Sequence, residues 1–282
     1  MDRAIDTRLS VAEISALWMQ YMSESMAECV LNHFLATAED TQIKGALSSA
    51  LDSSVRHLRA ITHFLEQTGI PRPVGFSAHD IDIAAPRLFS DIFYLYYLRR
   101  MTQIAMIDYS CSAVLAAQTD VRSYIYHCLN ESSELHERVI TLAITKGIHI
   151  RPPYLAVPDR VEFAQSQRFL GTLIGKQRPL QVVEVAHLFA NIEAISIGKI
   201  LLTGFAQVAN HPKIRDIFLQ AKDTLSKQVE TLNRKLAKED IPTPMHWDSG
   251  LTNSITAPFS DKLMLQHTLL IAGAALGRYG LA

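Results

Sequence analysis

The sequence predicts an all-α protein made of two tandem ferritin-like four-helix bundles, the second without its last helix. Three observations predict it. Apolar residues recur at helical spacing, as in Ile14, Leu17, Trp18, Tyr21, Ser25 and Leu31. The stretch from Leu9 to Pro73 aligns without a gap to the stretch from Leu180 to Pro244, at a constant offset of 171 residues. Helix-start and helix-stop residues recur at matching places in both stretches.

In the aligned stretches roughly a quarter of paired positions are identical, the fixed-period self-similarity that marks a duplicated unit. Leu31, Phe34 and Ala38 face Leu202, Phe205 and Ala209, and Ile70-Pro71-Arg72-Pro73 faces Ile241-Pro242-Thr243-Pro244. After a loop of unequal length the match resumes, with Ala85-Pro86-Arg87-Leu88-Phe89-Ser90-Asp91 answered by Ala257-Pro258-Phe259-Ser260-Asp261.

The first helix is expected from about Val11 to Ala38, opened by a capping box of Ser10 and Glu13. The second spans about Thr41 to Thr68, with Asp40 as N-cap and Gly69 and Pro71 as the stop. The loop from Ile70 to Ala85 is long enough to cross the length of a bundle. A third helix is expected from Pro86 to about Gln118 and a fourth, capped by Asp120, to about Lys146. Two short connections around one long crossover give ferritin-like connectivity. Helices of this length would be about 40 Å long and must draw their stability from burying an apolar stripe.

The expected organisation is a first bundle over residues 1–150, a linker over 151–179 with a short helix from Val161 to Ile174, and three helices of a second bundle over 180–282. At an offset of 170 the terminal Ala282 faces Ser112, so no counterpart of the fourth helix remains. That leaves a groove to be filled by the linker helix, by a second subunit or, if the chain is a truncation, by the missing piece. A homo-oligomer or a protein partner over this face is therefore expected.

Composition narrows the function. Apolar residues make up 48% and charged residues 20% of the 282, a globular profile rather than a disordered one. The formal net charge is −1, and basic residues are interleaved with acids, so nucleic acid is not an expected partner. The apolar run from Leu263 to Leu276 is broken by Gln266 and His267 and falls short of the ~20 residues of a membrane span. Its Gly273-x-x-x-Gly277 spacing reads as a tight contact between soluble helices. No apolar leader opens the chain, and Cys29, Cys111 and Cys128 read as reduced packing thiols, which together suggest a cytoplasmic setting.

These motifs resemble a family of tandem ferritin-like proteins of spore-forming bacteria, grouped as domain of unknown function 3231 and labelled putative spore coat proteins. The residues that carry the resemblance are Ala85 to Asp91, Arg178 to Ala194, Ile241 to Ser249 and Pro258 to Ala272. The resemblance covers nearly the whole chain and departs at the end, where relatives continue into a final helix. It implies two four-helix bundles and spore association, and it implies no activity.

The remaining chemistry is thin. A ferritin-type metal site needs a Glu on two helices and Glu-x-x-His on the other two, because residues i and i+3 share a face. In the first copy Glu24, Glu28, Asp52, His57, Asp108, Glu131, Glu134 and His136 fall mid-helix, and none forms Glu-x-x-His. The Glu-x-x-His of this chain is Glu184 with His187, where Glu184 matches the capping Glu13. The metal-ligand candidates are thus Glu28, His57, Glu134, Glu184, His187 and His267, set against capping, solvated faces and a core histidine. No nucleophile elbow or phosphate loop is present, no cofactor is expected, and a structural or interaction role is the leading expectation. A bundle holding an apolar ligand is the remaining alternative, and it requires internal space.

Overall fold

The computed structural model describes residues 8–155, 178–244 and 250–279. Among them are seven α-helices: α1 (Val11–Thr37), α2 (Thr41–Gln67), α3 (Asp91–Leu115), α4 (Thr119–Thr145), α5 (Val182–Val208), α6 (Pro212–Ala237) and α7 (Asp261–Tyr279). The expected linker helix from Val161 to Ile174 lies outside the described residues.

Local chemistry sets most boundaries. Ser10 and Glu13 close the capping box on α1, with Ser10 N–H donating to Glu13 Oε2 at 2.8 Å. Glu13 is buried, and its other oxygen accepts from Gln118 N–H at 2.7 Å, so one carboxylate ties the starts of α1 and α4 together. Asp40 caps α2 by accepting from the amides of Gln42 and Ile43. At the end of α2, Gly69 takes φ of 69°, and at the equivalent end of α6 Asp240 takes φ of 55°, a left-handed conformation that costs a non-glycine residue.

Two expected starts are displaced. α3 begins at Asp91 rather than Pro86, because residues 86–90 run extended against the second copy. α4 is preceded by Gln118 as N-cap rather than capped by Asp120, which sits in the first turn, where its charge favours the helix dipole.

α1 packs chiefly on α2 and α3 on α4, and these two hairpins face each other. α3 runs antiparallel to α1, since Tyr94 at its start bonds Thr37 and Tyr109 farther along bonds Glu24. α5 and α6 form a third hairpin, with α7 against α5. α5 is long and apolar enough to cross a membrane by length and composition, with half of its most apolar window buried inside the protein.

The two copies meet about an approximate two-fold axis, and the contacts are reciprocal under the repeat offset. Ser90 N–H donates to Gly250 O and Ser260 N–H to Asp80 O, while Asp82 N–H donates to Pro258 O and Thr252 N–H to Leu88 O. Residue i of one crossover loop thus bonds residue j of the other, and the equivalent of j bonds the equivalent of i, as in an isologous dimer. Four rings fill the junction. Phe34 lies 6.2 Å from Phe89 and 6.3 Å from Phe259, and Phe205 lies 6.4 Å from each of the same two rings. Near the axis the Tyr97 hydroxyl is hydrogen-bonded to Nε2 of its own repeat equivalent, His267, at 2.7 Å.

The repeated Phe-Ser-Asp motif therefore has three structural jobs. Phe89 and Phe259 fill the junction, and Ser90 and Ser260 cap α3 and α7. Asp91 accepts from the amides of Glu39 and Asp40, and Asp261 from those of Asn210 and His211, pinning the α1–α2 and α5–α6 turns.

The symmetry is broken sterically at His33. His33 packs edge-on against Phe259, at 5.4 Å between ring centroids. Its equivalent, Gly204, has the Phe89 ring 2.6 Å from where a Cβ would stand. Phe89 is wholly buried and stacked on Phe93, so it has little room to give. Gly204→Ala should destabilise by about 1–3 kcal/mol through overpacking, read as a lowered urea midpoint with an unchanged m-value.

Candidate functional site

Every one of the first four helices contributes to one buried polar cluster. α1 supplies Gln20 and Glu24, one turn apart on the same face. α2 supplies Ser54 and His57, three residues apart. α3 supplies Tyr109, and α4 supplies Tyr124, Cys128 and Glu131 at spacings of four and three.

His57 sits at the centre. Its Nδ1 lies 2.7 Å from Glu24 Oε1 and its Nε2 lies 2.8 Å from Glu131 Oε2. Tyr109 donates to the same Glu24 oxygen at 2.8 Å, and Gln20 Nε2 donates to the hydroxyls of Tyr124 and Tyr109. On the outer side, the exposed Arg56 donates to Glu131 at 2.6 Å.

The electrostatics follow. Desolvation disfavours the imidazolium of His57, but contact with Cys128 and the hydrogen bond and charge of Glu24 outweigh it, so its pKa is raised. Desolvation likewise pushes Glu24 up, and the hydrogen bond and charge of His57, with Ser54 and Tyr109, bring it net below the ordinary carboxylate value. Glu131 is lowered too, desolvation being outweighed by Arg56 and His57. The cluster is an ion triplet, carboxylate–imidazolium–carboxylate, with Arg56 balancing the second carboxylate. Both ring nitrogens of His57 carry protons held by acceptors, so neither lone pair is free for a metal or for proton abstraction near neutral pH.

The six candidate ligands do not converge. His57 binds Glu24 and Glu131 instead of Glu28 and Glu134. Glu28 is half-buried one turn along α1 from Glu24, and Glu134 is exposed one turn beyond Glu131. Glu184 accepts from Gln181 N–H and forms a two-pronged ion pair with Arg178, which lowers its pKa to about 2, while His187 lies half-buried beside it. His267 is fully buried at the inter-copy junction. Among the described residues no group of three His, Cys, Asp or Glu is placed to hold a metal. Cys29 and Cys128 are buried free thiols, whereas Cys111, expected to pack, is exposed on α3.

Beside the cluster, α1 and α3 diverge around a cavity of about 470 Å³. Small side chains on α1, among them Ala12, Ala16 and Ala27, leave the space, and Leu98, Met101 and Ile104 of α3 form the opposite wall. Glu24, His57 and Tyr109 close its inner end, Leu270 of α7 reaches it from the second copy, and Asp108 stands exposed on its rim.

The second copy lacks the ionisable pair of this cluster. At the repeat offset Ile195 stands for Glu24, Leu225 for Ser54 and Gln228 for His57.

Comparison with known proteins gives two matches. The family model described as "Protein of unknown function (DUF3231)" matches residues 4–161 and 168–282. A solved structure, a putative spore coat protein from Bacillus halodurans C-125, is similar at 17% identity and a TM-score of 0.46, over 53% of this chain and 97% of that one. No curated protein matches.

Proposed function

The chain belongs to the DUF3231 family of proteins of unknown function, and from that premise we propose that it is a non-catalytic structural or interaction protein. The observation that carries this reading is the locking of His57. The buried ionisable centre is neutralised from both sides and offers neither a free base nor an open ligand set. The crossover between α2 and α3 and the antiparallel hairpins support a ferritin-like four-helix bundle in the first copy, used as a scaffold without its metal. A coat role, which the resemblance suggests, asks for association rather than turnover.

The proposed surface of association is the face of the second copy that α4 covers in the first. Ala46 of α2 is buried at 1% exposure, whereas its equivalent Ile217 on α6 is 47% exposed. Leu225 and Leu232 farther along α6 and Leu265 on α7 are half-buried and pack against the core. An apolar side chain left exposed where the equivalent position is buried is a place for a partner to cover.

Sedimentation velocity over a hundredfold concentration range tests the proposal. The wild type is expected to self-associate, and Ile217→Asp is expected to weaken association at least tenfold with unchanged helical circular dichroism. A wild-type chain that stays monomeric throughout, or holds a stoichiometric metal after purification, would overturn it.

A further inference from the structure

We propose that the cavity between α1 and α3 is a binding site for a small apolar amine, with its hydrocarbon body in the cavity and its ammonium group at Asp108. Three observations converge.

The volume, about 470 Å³, lies in the range of ligand-binding pockets, and the walls are mainly apolar, with Met19, Leu31, Leu98, Met101, Ile104 and Leu115 among them. Met19 is 59% and Leu115 64% exposed, which marks the side open for entry. A close-packed interior does not leave a space of this size by default.

The lining has charge of one sign to spare. It contains Glu24, His57 and Asp108 and no Lys or Arg. Glu24 is offset by the imidazolium of His57. Asp108 makes no hydrogen bond or ion pair with any described residue, so one negative charge faces the cavity without compensation. A carboxylate beside a low-dielectric wall attracts a cation, repels an anion and gives a neutral molecule no advantage.

Hydrogen bonding points the same way. Gln20 already donates to Tyr109 and Tyr124, and Thr102 bonds Arg99 O and His136. The strong acceptor left over is the Asp108 carboxylate, and an ammonium, with three donors and no acceptor, fits it where a carboxylate or an ether does not.

Isothermal titration of the full chain with n-octylamine, n-octanol and octanoate provides the test. Octylamine is expected to bind at least tenfold more tightly than octanol, with octanoate weakest. Asp108→Asn, a near-isosteric change at an exposed position, is expected to bring octylamine to the level of octanol while leaving octanol unchanged. Ala16→Phe, which fills the cavity from α1, is expected to abolish binding of all three with the thermal midpoint retained. Octanol or octanoate binding as tightly as octylamine overturns the assignment, as does octylamine affinity indifferent to Asp108→Asn or to Ala16→Phe. Absence of binding by every probe overturns it as well.

Discussion

His57→Leu should destabilise the protein by about 3–5 kcal/mol, the largest single-residue effect expected in the first four helices. The reason lies in what it leaves behind. Glu24 is buried and held below the ordinary carboxylate value chiefly by His57. Removing one member of a buried ion pair strands the other in a medium that solvates it poorly, and this stranding, more than the lost attraction, sets the cost. Glu131 suffers less, because Arg56 and solvent remain to it. The double variant Glu24→Gln/His57→Leu removes the stranded charge, so it should recover at least half of the loss. Urea denaturation of the two single variants and the double variant gives the coupling directly. The second copy shows that the scaffold tolerates an uncharged version, since Ile195 and Gln228 occupy the same two positions. A His57→Leu cost below about 1 kcal/mol would mean that the triplet is solvated and is not the buried pin described above.

How much of this was legible in the sequence depended on whether a feature is local. The capping box at Ser10 and Glu13 and the cap at Asp40 need only neighbouring residues, and both stand where the sequence put them. The duplication was visible because it is an offset in one dimension. The purpose of the Phe-Ser-Asp motif was not, because Phe89 finds Phe205 and Asp91 finds the amides of Glu39 and Asp40 only once the copies and hairpins dock. That docking also consumed residues 86–90, which local propensity assigned to a helix. The choice of Glu28 and Glu134 over Glu24 and Glu131 missed the buried cluster by one helical turn on each helix. A signal for the right pair existed. Gln20 with Glu24, Ser54 with His57, and Tyr124 with Cys128 and Glu131 are polar pairs at i, i+3 or i+4, each continuing a stripe whose other members are apolar. The cavity had no signal, since small residues on α1 leave space only if α3 fails to close on them.

Lowering the pH from 7 to 5 should remove several kcal/mol of stability, with His33 and His267 as the chief cause. Both rings are fully buried, and desolvation lowers each pKa to about 4, against about 6.5 in an unfolded chain. The weaker opposing pull on His33 comes from the backbone and charge of Asp82. A group whose folded pKa lies below its unfolded one stabilises fully above the unfolded value and progressively less as pH falls toward the folded one. Each such shift corresponds to about 3 kcal/mol at full development, and both act in the window from pH 6.5 to 4. His57 has the opposite sign. Its folded pKa is raised, so its contribution is complete below pH 6.5 and fades as pH climbs above that value. Glu24 and Glu131 are lowered and lose their share only as pH falls through the carboxylate range. The slope between pH 6.5 and 5 therefore belongs chiefly to His33 and His267, with same-sign shares from His136 and His149, which burial also lowers, and the decline on the alkaline side begins with His57 and is joined in the thiol range by Cys29, which burial raises. Urea midpoints from pH 5 to 9 separate the two: His57→Leu should flatten the alkaline limb and leave the acid limb intact, whereas His267→Gln should do the reverse. An acid limb that persists unchanged in His267→Gln and in His33→Gln would place the titration elsewhere. The two signs make the inter-copy junction the part of the molecule that acid opens first, because His267 and Tyr97 sit near the two-fold axis and His33 packs on Phe259 from the other copy.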